Sequence, residues 1–152
     1  RLRTSPFYRP DTSKPTSLAH SFIANVKENK QITDKSITAS EELQFGPIAE
    51  GSPVQVALLW GDPETGPAAV LVRFPEGYEE PWHSHSSTYH SILVKGEFQS
   101  RSKDKPDSTT VYGPGSYAVQ PGGAAHREVN AGQGELVAFV YFEGPIDFVP
   151  AE

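Results

Sequence analysis

The chain has 152 residues, enough for one domain with a real core, and its 13 glycines, 14 prolines and 36% hydrophobic residues suit a turn-rich β protein better than a helical bundle. A net charge of −6 argues against a nucleic-acid partner, and the one basic cluster, Arg101 to Lys105, contains a carboxylate and reads as a solvated hairpin loop. Cysteine is absent, which excludes disulfides and thiolate ligands, and no apolar run reaches the roughly 18–20 residues of a membrane-spanning helix, so no membrane partner is expected.

The chain lacks methionine and begins at Arg1, as a processed product would. A removed signal peptide, trimming and disordered leading residues all account for that start. The reading leans to export, with a cytoplasmic location as the alternative. Residues 1–16 carry Pro6, Pro10 and Pro15 among polar residues and read as an extended arm. Ser17 can cap a short helix in which Leu18, Phe22 and Val26 share a face; His20 lies off that stripe and reads as a surface residue. Arm and helix together make residues 1–43, and the β body occupies 44–152.

From about residue 44 the hydrophobic period is two. Val54, Val56, Leu58 and Trp60 alternate with their neighbours before the turn Gly61 to Pro67. Strands are then expected at 68–74, 82–85, 90–94 and 97–101, the last pairing with 109–112 across the polar loop as a hairpin. Further strands are expected at 117–120, 126–129 and 136–142. Short strands at this spacing, parted by Gly/Pro turns, indicate an antiparallel sandwich or barrel.

Four of the five histidines fall in two short stretches. The first runs from Gly77 through His83, His85 and His90 to Gly96. The second runs from Gly115 through Pro121, Gly123 and His126 to Asn130. His83 and His85, two apart, share a strand face, and imidazole nitrogen is a ligand for iron, copper, nickel and zinc. His90 joins them only if residues 86–89 bulge or turn. Gly77, Gly96, Gly115 and the Pro121-Gly122-Gly123 turn read as backbone positions, and Asn130 as a turn or hydrogen-bonding residue. Tyr89, Gln120, Arg127, Glu128, Tyr117 and Phe142 are candidates for substrate contact. Of these, Tyr89 and Glu128 are the candidate catalytic residues, since parity from His126 puts Glu128 on its face and Arg127 opposite. Trp82 is expected to point away into packing.

The two stretches resemble the two signature motifs of the cupin superfamily, and the closing Tyr141 to Phe148 looks like the tail of small bacterial single-domain cupins. The second motif matches at every signature position; the first departs in two ways. His90 stands for the usual glutamate, and the gap from there to Gly96 is one residue short. The resemblance implies an all-β antiparallel jelly-roll barrel over residues 44–152. It also implies one divalent transition metal per chain (Fe, Cu, Mn, Ni or Zn) held by His83, His85, His90 and His126.

Four neutral imidazoles would leave the ion its full charge, strengthen its Lewis acidity and favour an anionic or enolisable substrate. Nitrogen-only ligation disfavours calcium and magnesium. The function implied by the resemblance is a mononuclear non-haem dioxygenase-type enzyme acting on a small organic molecule. A non-redox isomerase or lyase and a non-catalytic metal- or ligand-binding module are the alternatives. A homodimer is expected, since cupins commonly pair through edge strands.

Overall fold

The computed structural model describes residues 35–152. The expected arm, the capped helix and His20 lie outside the described residues. After one turn of 3₁₀ helix at Ser40–Glu42 the chain is entirely β: β1 (Gly46–Pro47), β2 (Gln55–Gly61), β3 (Ala68–Phe74), β4 (His83–Ser84), β5 (Tyr89–Lys95), β6 (Phe98–Ser102), β7 (Tyr117–Gln120), β8 (His126–Asn130), β9 (Leu136–Phe142) and β10 (Val149–Pro150). A six-stranded sheet runs β1-β2-β3-β9-β5-β7 and a four-stranded sheet runs β10-β4-β8-β6. Every strand pairing is antiparallel, as in a jelly-roll barrel.

The inner face of the larger sheet supplies the core. β9 lies between β3 and β5, setting Val70 opposite Val140 and Tyr89 opposite Phe142. Val56, Val70, Tyr89, Val140 and Phe142 form one buried cluster; Val54, Phe74, Leu93 and Leu136 form a second. Each such aliphatic side chain contributes about 1.5–3 kcal/mol by leaving water. Val56, Val70, Val72, Val137 and Val140 in β2, β3 and β9 are β-branched, a shape that packs well on a pleated surface and is stiff at χ1.

Two expectations about strands need correction. Alternation along β2 was expected to keep Leu58 and Trp60 on one face. A register shift between them against β3 breaks that parity: Leu58 packs on the core, whereas Trp60 is half exposed. Residues 109–112 were expected to form a hairpin with 97–101. Only Tyr112 bridges Phe98, and β6 pairs instead with β8, bringing Ser102 opposite His126 and Ser100 opposite Glu128. The buried β8 offers β6 a continuous ladder, while the stretch before Tyr112 is polar and exposed.

Two glycines allow close backbone approaches in the barrel. Gly96 takes φ +88°, and a Cβ there would lie 3.0 Å from the Leu136 Cα. A Cβ on Gly122 would lie 2.6 Å from the Ser86 carbonyl oxygen. The second close approach seats the Pro121–Gly123 turn on the Ser86–Thr88 turn, where Gly123 N–H donates to the His85 carbonyl (2.8 Å) and Gly122 N–H to Thr88 Oγ1 (3.1 Å). Asn130 closes β8 from inside: its Nδ2 donates to the carbonyls of Pro75 (3.0 Å) and Gly134 (2.8 Å), and its Oδ1 accepts from Gly132 N–H (3.2 Å).

Candidate metal centre

β4 and β8 place His83 and His126 directly opposite each other, and His85 follows two residues beyond His83 on the same face. Each ring is anchored through Nδ1 to a main-chain carbonyl: His83 to Pro81 (2.9 Å), His85 to Asp147 (2.5 Å) and His126 to Ala124 (3.2 Å). Those bonds put the imidazole proton on Nδ1 and leave Nε2 as a lone pair. One ligand nitrogen from each ring lies within 4.8 Å of the others, and the Nε2 atoms of His83 and His85 are 3.2 Å apart. Two lone pairs facing each other at that distance repel, and a cation between them turns repulsion into ligation. The three side chains therefore fit a transition ion, with iron, copper, nickel, manganese and zinc all compatible with the donors.

The surroundings keep these rings neutral. His83 and His126 are each only 1% exposed. Phe148 stacks on His83 at 4.3 Å between centroids and 13°, and Phe142 meets His85 edge-on at 5.2 Å. Burial pushes His83 and His85 down to about 4 and His126 to about 3; His83 adds like-charge repulsion to its two neighbours. At neutral pH all three are free bases, so no proton must leave before an ion is bound.

His90 stands apart. The chain turns at Ser86–Thr88 and β5 then begins at Tyr89, so strand parity sends Tyr89 inward and His90 outward. His90 Nε2 lies 2.7 Å from Glu143 Oε1 and its Nδ1 lies 2.7 Å from the Tyr117 hydroxyl, on the outer face. The expected four-histidine set is thus not assembled; three rings cluster. Tyr89 occupies the inward place, its hydroxyl donating to His126 Nε2 at 3.2 Å. Burial holds that phenol well above its usual range. The signal was present in the sequence: counting the motif position at Tyr89 rather than His90 removes the one-residue shortfall before Gly96.

Two carboxyls complete the polar end. Glu80 Oε2 lies 3.8 Å from His83 Nε2 and accepts from the Glu128 N–H at 3.3 Å. Glu128 Oε1 accepts from Ser100 Oγ at 3.0 Å, whereas its Oε2 is buried without a partner. Burial raises both carboxyls to about 8, with Glu80 adding to the rise at Glu128. Neither Glu80 nor Phe148 was singled out from sequence. Glu80 enters from the turn ahead of β4, where no periodic pattern predicts which way a side chain faces.

The other candidates separate by face. Phe142 lies against the site. Arg127, opposite in parity to His126, pairs with Glu79 and stands 5.5 Å over the Trp82 ring, away from the centre. Tyr117 belongs to the outer His90 cluster, and Gln120 donates to the Ala124 carbonyl (2.9 Å) within its own turn.

Behind the histidines opens a cavity of ≈ 160 Å³, walled by Val56, Val72, Leu93, Leu136, Ala138 and Val140, with Glu80, Tyr89 and Glu128 also on its wall. A largely buried three-histidine cluster, mounted in a jelly roll and facing this cavity, unites histidines of both stretches. The model of the ChrR cupin-like domain matches residues 33–146. The chain belongs to that cupin family.

No curated protein matches the chain. Among solved structures, an RmlC-like cupin protein from Ralstonia eutropha is similar, with a TM-score of 0.59 at 23% identity over 73% of this chain and 69% of that one. KdgF from Halomonas sp. is similar, with a TM-score of 0.56 at 20% identity over 72% of this chain and 94% of that one. A sugar phosphate isomerase of the cupin superfamily from Silicibacter pomeroyi gives a TM-score of 0.57 at 14% identity over 71% and 75%. At these identities the likeness concerns the cupin barrel itself.

Proposed function

We propose that this cupin is a mononuclear metal enzyme of the dioxygenase type acting on a small organic substrate. The observation that carries the reading is the convergence of three Nε2 lone pairs, each ring fixed through Nδ1 by a main-chain carbonyl. His83, His85 and His126 would hold the ion; iron is the proposed identity, and it would supply the one-electron chemistry that reaction with dioxygen requires. Three protein ligands leave coordination positions open to substrate, unlike a closed four-ligand structural site. Tyr89 holds its proton at the hydroxyl oxygen and can donate it to a substrate oxygen. Glu80 and Glu128 hold protons beside the same space, while Phe142 and Phe148 keep water out.

A second reading, a non-redox isomerase or lyase, is favoured by Glu80, whose carboxyl lies within reach of the centre as an acid or base. A phosphorylated sugar does not suit it here, because among the described residues no lysine or arginine lines the cavity. Metal analysis of protein purified without added ions, followed by anaerobic substrate addition and then oxygen, separates the possibilities. Bound iron with oxygen uptake supports the dioxygenase. Turnover without oxygen transfers the assignment to the second reading. No turnover over a broad panel of enols, diketones and phenols makes the chain a binding module.

A further inference from the structure

The size and wall chemistry of the chamber restrict what can enter it. Resting on the reading of the barrel interior as a substrate chamber, we propose that it takes one uncharged, largely apolar molecule about the size of a single six-membered ring. That molecule bears a hydroxyl or carbonyl oxygen turned toward Tyr89, Glu80 and Glu128. The volume is ≈ 160 Å³. Aliphatic cavities of about 150 Å³ in other proteins accept benzene, and molecules with two fused rings exceed that space. Most of the wall comes from the inner face of the larger sheet, where side chains such as Val72, Leu93, Leu136 and Ala138 offer contact but no hydrogen bond.

Ser52 and Ser91 are polar side chains elsewhere on the lining, and its carboxyl and imidazole groups gather at the histidine end. There the Glu128 Oε2 has no partner, although the other oxygen of the same carboxyl is held by Ser100. A buried polar atom left unpaired is costly, and a ligand hydroxyl would recover part of that cost. A charged ligand fares worse. In the metal-free chain no lysine or arginine among the described residues lines the cavity to meet an anion, and a cation would have to leave water for a largely apolar wall.

The test is calorimetric titration of the full chain after chelator treatment, so that no ion's charge bears on the head group, with three molecules that differ only in head group: cyclohexanol, cyclohexanecarboxylate and cyclohexylammonium. Cyclohexanol is expected to bind one per chain, at least about 10-fold tighter than either charged analogue. Ala138→Leu, which fills the chamber from its apolar wall, should weaken cyclohexanol by at least about 10-fold, while the metal content of the variant as purified stays unchanged. The two-ring alcohol decahydro-2-naphthol reads the same size limit on the unaltered chain and should bind at least about 10-fold more weakly than cyclohexanol. A charged analogue or the two-ring alcohol binding as tightly as cyclohexanol would overturn the proposal, as would undiminished affinity in the folded variant or no binding at all. Calorimetry needs neither turnover nor oxygen, so these results stand apart from the outcome of the oxygen-uptake experiment.

Discussion

A metal site depends as much on what orients its ligands as on the ligands themselves. Pro81, Ala124 and Asp147 each lend a carbonyl to one imidazole, so the three Nε2 atoms are aimed before any ion arrives. Removing one ring should therefore cost more than losing an outer partner. His126→Ala is expected to weaken metal binding by more than about 100-fold, past the 10–100-fold range typical of outer-sphere changes. His90→Ala, on the other face, should leave affinity within about two-fold of the unaltered protein and cost under about 1 kcal/mol through its exposed contact with Glu143. Competition against a chelator of known affinity measures both; equal losses would show that His90 reaches the ion.

Protonation at the same residues sets how the metal-free protein responds to pH. The three histidines titrate lower in the fold than their ordinary 6.5, so the unfolded chain takes up protons first and stability falls as pH drops below about 6.5. Glu80 and Glu128 titrate higher than their ordinary 4.5, so the fold holds extra protons and loses stability as pH rises from 4.5 through about 8. The melting temperature of chelator-treated protein should peak between pH 4.5 and 6.5 and decline on both sides. Glu80→Gln with Glu128→Gln should flatten only the alkaline limb. A metal-free melting temperature that climbs steadily to pH 8 would contradict this.

At the level of elements, strands declare themselves when burial alone decides them. β3, β7 and β9 occupy the expected spans because each alternates or is apolar throughout between turn residues. β1 and β10 have two residues each and exist only through their partners, so no local pattern announces them. The inward place of Tyr89 turned on one residue of register after the Ser86–Thr88 turn, and period two magnifies such a slip by exchanging the faces of every following side chain. The Trp60 reversal has the same origin. Gly122 is the backbone counterpart: Gly122→Ala should cost about 1–3 kcal/mol, seen as a lower urea midpoint, because Ser86 must retreat from the added methyl. Metal affinity should fall with it, since the displaced turn carries the Gly123 bond to His85.

For the molecule as a whole, the centre ties the small sheet to the large one. β4 and β8 bring His83 and His126 from one sheet, and Tyr89 meets them from the other. An ion that binds only the fold adds stability by mass action, about 2.7 kcal/mol at a hundred times its dissociation constant. For a chain of this length that is a rise of about 5–10 °C in melting temperature, abolished by chelator. An unchanged melting temperature would mean that the histidines hold no ion. Short period-two strands parted by Gly/Pro turns made a sandwich or barrel legible, and the resemblance of the two histidine stretches to cupin motifs narrowed that to a jelly roll. The chamber was not legible, since an internal void is a property of packing and leaves no mark in local pattern.

The segment after β9 belongs to the centre as fully as the histidines do. Asp147 fixes His85 and grips Ser86, Phe148 lies flat on His83, and β10 pairs with β4 at Ser84 and His83. A nascent chain emerging from the ribosome thus exposes all three imidazoles before Asp147, which aims His85, and Phe148, which covers His83, have left the exit tunnel. Full assembly of the centre in the cell must wait for that segment, and a fragment ending at residue 146 would keep every ligand yet leave His85 without its carbonyl and His83 without its aromatic cover.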